Sequence, residues 1–136
     1  MFEYLSALDL DFSDFELVAV PLHKKKLKKR GFNQCELISL ELSKLMNIPC
    51  NFKLIKRIKN TKSMYNLKRH ERIENLKDAF EVDKKEFHNK KLLIIDDIVT
   101  TGTTLGEMIK ELKKNDIEDI ICLTFTNTDK NSINVK

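Results

Sequence analysis

The sequence predicts an α/β protein, a compact parallel sheet flanked by helices. Short apolar runs alternate along it with stretches of helical periodicity, the pattern of strands joined by crossover helices. One run, Leu92-Leu93-Ile94-Ile95, is continuous rather than alternating, as expected of a strand buried on both faces. At 136 residues and 41% hydrophobic composition, the chain has apolar side chains for one core and one domain.

The elements follow in order. Residues 1–16 form an acidic N-terminal segment, with five Asp/Glu and no Lys or Arg, whose apolar residues are expected to patch the flank. The main domain is expected over 17–126 and begins with a buried strand, Leu17–Pro21. Glu36–Met46 reads as a helix, because Leu37, Ile38, Glu41, Leu42 and Leu45 leave a mostly apolar stripe that stops before Pro49. A second strand is expected over Asn51–Ile55, then a polar stretch to about Asn66. A short helix, Arg69–Leu76, and a short strand, Ala79–Val82, precede the strand Leu92–Asp96. In Thr103–Lys114, Leu105, Met108, Ile109 and Leu112 recur at helical spacing. Asp119–Phe125 is a last buried strand, and 127–136 a loose polar tail.

The most informative stretch is 92–104. A buried strand ends in two adjacent carboxylates, Asp96 and Asp97, and a small hydroxyl-rich turn leads into a helix. Each part suits a ribose carrying a 5′-phosphate. The turn Thr100, Thr101, Gly102, Thr103, Thr104 can aim backbone N–H groups and hydroxyls at a phosphate, and Gly102 lets the backbone approach closely. The helix adds its positive end. The carboxylate pair can accept hydrogen bonds from two vicinal hydroxyls, and side by side the acids repel each other without such partners or a cation.

Other readings of an acidic strand end fit less well. A magnesium-holding ATPase strand needs a G-x-x-x-x-G-K-[ST] loop, which Gly31, Gly102 and Gly106 do not supply. A response-regulator receiver has its acids after the first strand, whereas only 39 residues follow Asp97 here. Cys35, Cys50 and Cys122 are isolated in sequence, so neither disulfides nor a zinc cluster is expected. With no apolar stretch of membrane-spanning length and no signal peptide, the expected location is the cytoplasm, without membrane insertion.

The segment Ile94–Thr104 resembles the phosphoribosyl pyrophosphate (PRPP) motif of type I phosphoribosyltransferases. Two further segments resemble the ComF competence family: Val18-Ala19-Val20-Pro21-Leu22-His23 with Arg30-Gly31-Phe32-Asn33-Gln34, and Glu71-Arg72-Ile73-Glu74-Asn75-Leu76 with Ala79-Phe80. The resemblance spans 18–125 and implies a type I phosphoribosyltransferase-like fold. Many ComF proteins begin with a cysteine-rich zinc-binding element, which this sequence lacks; a short member, a fragment and a mis-set start all remain open.

The resemblance also assigns roles. Asp96 and Asp97 become the catalytic carboxylates at the ribose. Pro21, Leu22, His23, Lys24 and Arg30 belong to a pyrophosphate loop, and Arg57, Lys62, Arg69 and Arg72 to a flexible loop that closes over the site. Magnesium is expected to enter with PRPP, held by ligand oxygens and water, with Asp96 and Asp97 as the candidate protein donors and no direct protein metal site. Asn33 and Gln34 suit helix capping as well as ligand contact. Two positions depart from related patterns: Thr100 stands where purine-salvage relatives often carry an acid, and Met64 where ComF proteins usually have glutamine.

The net charge of +4 conceals an uneven distribution. Residues 17–77 carry sixteen Lys/Arg against four Asp/Glu, while 78–136 carry nine against twelve. That basic block suits pyrophosphate, or the backbone of single-stranded DNA. Solvation alone also accounts for runs of lysine. The expectation is a PRPP-binding, ComF-type protein that supports DNA uptake and natural transformation, with phosphoribosyl transfer to an unidentified acceptor and release of pyrophosphate. A non-catalytic PRPP sensor and a single-stranded-DNA-binding factor working with the uptake machinery are the alternatives.

Overall fold

In the computed structural model, residues 9–60, 67–99, 102–127 and 134–135 are described. The chain runs β1 (Phe15–Ala19), α1 (Lys24–Arg30), α2 (Gln34–Met46), β2 (Ile55–Arg57), α3 (Arg69–Leu76), β3 (Phe80–Val82), a 3-10 turn (Lys84–Glu86), β4 (Lys91–Val99), α4 (Thr103–Lys114), β5 (Ile120–Asn127) and β6 (Asn134–Val135). β4 is central: β1 and β5 both pair with it in parallel, and β6 adds an antiparallel edge to β5. Leu92, Leu93, Ile94 and Ile95 have no solvent exposure, as the unbroken apolar run predicts for a strand covered on both faces.

The two faces build two cores. Leu92 and Ile94 lie in a cluster with Leu105, Met108, Ile109 and Leu112 of α4. Leu93 and Ile95 lie in a second cluster with Leu42 of α2 and with Ile121 and Leu123 of β5. Period-two alternation along the strand places helices on opposite sides of one sheet. α4 matches its predicted span, and its apolar stripe is buried.

Smaller departures are β1, which begins at Phe15 rather than Leu17, β6, which lies in the expected loose tail, and Leu37 and Leu45 of α2, which are exposed. Two segments differ more. The strand expected over Asn51–Ile55 is reduced to one parallel bridge, Cys50 with Leu17. Asn51 ends it by turning its own side chain back on the chain, where Oδ1 accepts the N–H groups of Lys53 and Leu54. β2 follows at Ile55–Arg57 and pairs antiparallel with β3 in a separate two-stranded sheet. The basic run after β1, expected as part of a loop, forms helix α1. His23 Nδ1 accepts the N–H of Lys25 at its start, and Gly31 closes it at φ 85°, in the left-handed region. Lys28, Lys29 and Arg30 fall in its last turn, where cations complement the helix dipole.

A buried polar cluster ties the N-terminal end of the sheet together. Glu16 is 1% exposed. Its carboxylate accepts Asn51 Nδ2 at 2.9 Å and lies 3.1 Å from His88 Nδ1, while Asn51 also donates to the Glu86 carbonyl at 2.7 Å. Removing the amide leaves one oxygen of a buried carboxylate without its donor, so Asn51→Ala should destabilise the protein by about 2 kcal/mol. A shift of the urea midpoint to lower concentration at unchanged slope is the expected result; an unchanged midpoint would show that Glu16 does not depend on Asn51.

Candidate functional site

The site is assembled where β1 stops and β4 continues. The parallel ladder between them ends at Ala19 opposite Ile95, with Val20 N donating to the Ile95 carbonyl. Beyond that point β4 carries Asp96 and Asp97 onward, still paired with β5 through Asp96 and Thr124. The space left by β1 is taken by the first turn of α2. Asn33 caps that helix with Oδ1 on the Cys35 N–H, and its Nδ2 reaches the Val20 carbonyl at 3.1 Å.

Cys35, whose part in the site the sequence does not reveal, packs against the acids. Its Sγ lies 3.8 Å from Asp96 Oδ1 and 4.0 Å from Asp97 Oδ1. Asp96 is 7% exposed and its Oδ1 also accepts the Asp97 N–H at 2.9 Å. Burial, then the neighbouring Asp97 charge, pushes the Asp96 carboxyl up to about 7. Burial and the two carboxylates push the Cys35 thiol up to about 12, so it stays protonated. Arg57, on β2, feels the Asp96 charge and sits over the Phe80 ring at 5.7 Å; burial pulls its guanidinium below the usual value.

Gly102 starts α4 at φ 74°, ψ 5°. A side chain at this position would meet open space, so it is the left-handed backbone that favours glycine here. Its carbonyl accepts the Gly106 N–H at 2.8 Å, and Thr103 and Thr104 form the first turn. Gly102 makes no side-chain cap of its own there, and the N-terminal end of a helix carries positive partial charge. Thr100 and Thr101 lie outside the described residues, as does Lys62.

The remaining sequence candidates are distributed around a neighbouring cleft. Pro21, Leu22, His23 and Lys24 line a cavity of about 450 Å³, and Asn33, Phe52 and Arg57 are also in its lining. Asp96 and Asp97 are not in its lining. The acid pair adjoins the Pro21–Lys24 segment through Asn33, which lines the cavity and bonds the Val20 carbonyl, and Cys35, which meets both acids. Arg30 is exposed at the end of α1. Arg69 is exposed at the start of α3, and Arg72 donates from Nε to the Leu67 carbonyl at 2.9 Å. Among the described residues, no helix is long and apolar enough to cross a membrane.

Comparison with known proteins places this architecture. The family model described as phosphoribosyl transferase domain matches residues 33–134. Competence protein F of Haemophilus influenzae is 39% identical over 106 residues, covering 76% of this chain and 46% of that protein. The DNA utilization protein YhgH of Escherichia coli is 32% identical over 99 residues, covering 73% and 43%. Competence protein ComFC of Bacillus subtilis is 32% identical over 113 residues, covering 76% and 44%. The chain thus spans less than half the length of these relatives. A solved hypoxanthine phosphoribosyltransferase from Staphylococcus aureus shares the fold at a TM-score of 0.54 and 18% identity, covering 99% of this chain and 67% of that one. The chain belongs to the phosphoribosyl transferase domain family and, within that superfamily, to the ComF family.

The raised Asp96 carboxyl has a consequence for stability. Its ordinary value is 3.8, so the folded protein holds this proton more tightly than the unfolded chain. The stability it contributes is full below about pH 4 and is lost as pH rises through about 7, at up to about 1.4 kcal/mol per pH unit. Without divalent cations, urea unfolding should therefore show the parent weakening relative to Asp96→Asn across that interval. Parallel pH profiles for the two proteins would contradict the assignment.

Proposed function

We propose that this chain binds PRPP and serves DNA uptake, and that it transfers the phosphoribosyl group with release of pyrophosphate. The observation that carries the reading is the buried acid pair at the end of the central parallel strand, followed within a few residues by a left-handed glycine at a helix start. In parallel α/β sheets, ligands lie beyond the carboxyl ends of the strands. Membership of the family and the competence and DNA-utilization relatives support the same assignment.

On this reading the α4 start binds the 5′-phosphate, and Asp96 and Asp97 accept the ribose hydroxyls. The same carboxylates stabilise positive charge that develops at the anomeric carbon as pyrophosphate leaves. Lys24 and Arg57, at the neighbouring cleft, supply cations for the departing diphosphate. Magnesium, brought by PRPP, neutralises charge on the leaving group when bound; the carboxylate oxygens of Asp96 and Asp97 suit this hard cation and the Cys35 thiol does not. The acceptor nucleophile is unassigned, since threonine at position 100 is no general base near neutral pH.

A second reading has its own observation. α1 carries six cations in seven residues, and no carboxylate among the described residues pairs with any of them. Lys26 is pulled below its ordinary value by burial and by Arg57 and Arg30, a sign of crowded positive charge. Such a surface suits the backbone of single-stranded DNA.

Two measurements test these readings. Calorimetric titration with magnesium and PRPP should show binding to the parent and none to Asp96→Asn/Asp97→Asn; a folded parent that does not bind would exclude both transfer and sensing. For the basic surface, affinity for a single-stranded oligonucleotide should fall with salt at a log–log slope of about −4 if about six phosphates are neutralised. Charge reversal at Lys25, Lys28 and Lys29 should flatten that slope, and an unchanged slope would place DNA elsewhere.

A further inference from the structure

The first turn of α2 touches both parts of the candidate site. Asn33 holds the Val20 carbonyl, the last backbone acceptor before the Pro21–Lys24 segment, and caps the Cys35 N–H. The Cys35 carbonyl in turn accepts Ser39 Oγ at 2.7 Å. The Cys35 backbone is therefore held on both sides, and the residue is 5% exposed. From that fixed point its thiol meets an oxygen of each acid, at 3.8 and 4.0 Å. Consecutive strand residues ordinarily point to opposite faces, yet one oxygen of Asp96, one of Asp97 and the Cys35 sulfur all lie within 4.8 Å of one another.

We propose that Cys35 is a positioning residue whose thiol, anchored through Asn33 and Ser39, sets the spacing of the two carboxylates for a pair of vicinal ribose hydroxyls. The proposal rests on the sugar-phosphate reading of the site and adds to it the residue that prearranges the acids. A thiol is a weak donor, but it is compact, apolar enough to be buried and positioned against both acids. Its effect is preorganisation: carboxylates already oriented lose less rotational freedom when the sugar arrives. Truncation should therefore penalise ligands that use both hydroxyls and spare ligands that do not.

The test compares ribose 5-phosphate with 2-deoxyribose 5-phosphate on the full chain, by calorimetry, with thermal melts confirming that each variant is folded. Cys35→Ala should weaken ribose 5-phosphate about three- to fivefold and leave the deoxy sugar unchanged. In an Asp96→Asn background the same truncation should change neither. Equal weakening of both sugars would reduce Cys35 to a structural role and overturn the proposal, as would a parent-like preference for ribose in the truncated protein. Should Cys35→Ala not fold, Cys35→Ser retains a donor at the same site: a kept ribose preference supports the proposal, and a lost one overturns it. Failure of the parent to bind ribose 5-phosphate would instead remove the sugar-phosphate reading, and this inference with it.

Discussion

The parallel ladder between β1 and β4 ends before the acids, and that mismatch organises the rest of the site. Four fully buried residues make β4 the axis of both cores, so the position of its end is set by packing on two faces at once. With β1 ending its pairing at Ala19, no strand among the described residues pairs with that edge of β4 at Asp96 and Asp97. An uncovered strand edge at that depth would leave polar groups in an apolar setting, which is costly. The first turn of α2 fills the gap with an amide and a thiol.

This filling has an electrostatic cost, which the proposed sugar phosphate would relieve. Two carboxylates, one almost wholly buried, share a small volume, and Asp96 responds by holding its proton far above the ordinary carboxylate range. Sugar hydroxyls and a cation would favour the charged form. Binding and ionisation are thus expected to be linked at this end of the sheet. At the opposite end Glu16 is buried too, but there a neutral amide and a histidine are in place. The contrast is between a carboxylate met by a neutral amide and a histidine and two acids that share a small volume with a thiol.

Those elements that depend on local periodicity were legible in the sequence. The buried run at 92–95, the stripe Leu105, Met108, Ile109, Leu112 and the glycine before α4 all appear where the pattern places them, because each is decided by its own residues. α1 escaped detection since six like charges mask the helix, while its determinants are the small signals of a histidine cap and a left-handed Gly31. The displaced second strand reflects Asn51, whose side chain serves Glu16 thirty-five residues away and ends the pairing. Cys35 in the site was not visible either. Its contact with Asp96 spans sixty-one residues of sequence, and nothing in its own neighbourhood distinguishes it from a core cysteine. A charge run and a lone thiol acquire meaning only from what the topology brings beside them.

On the proposed reading, the end of β4 and the start of α4 together form one sugar-phosphate site. A crystal structure of the chain with ribose 5-phosphate tests it most directly. The expected density places the phosphate at the first turn of α4 and two vicinal ring hydroxyls within hydrogen-bonding distance of Asp96 and Asp97, with Cys35 still against both acids. A sugar phosphate seated instead in the cleft beside α1, with the acid pair unengaged, would contradict it.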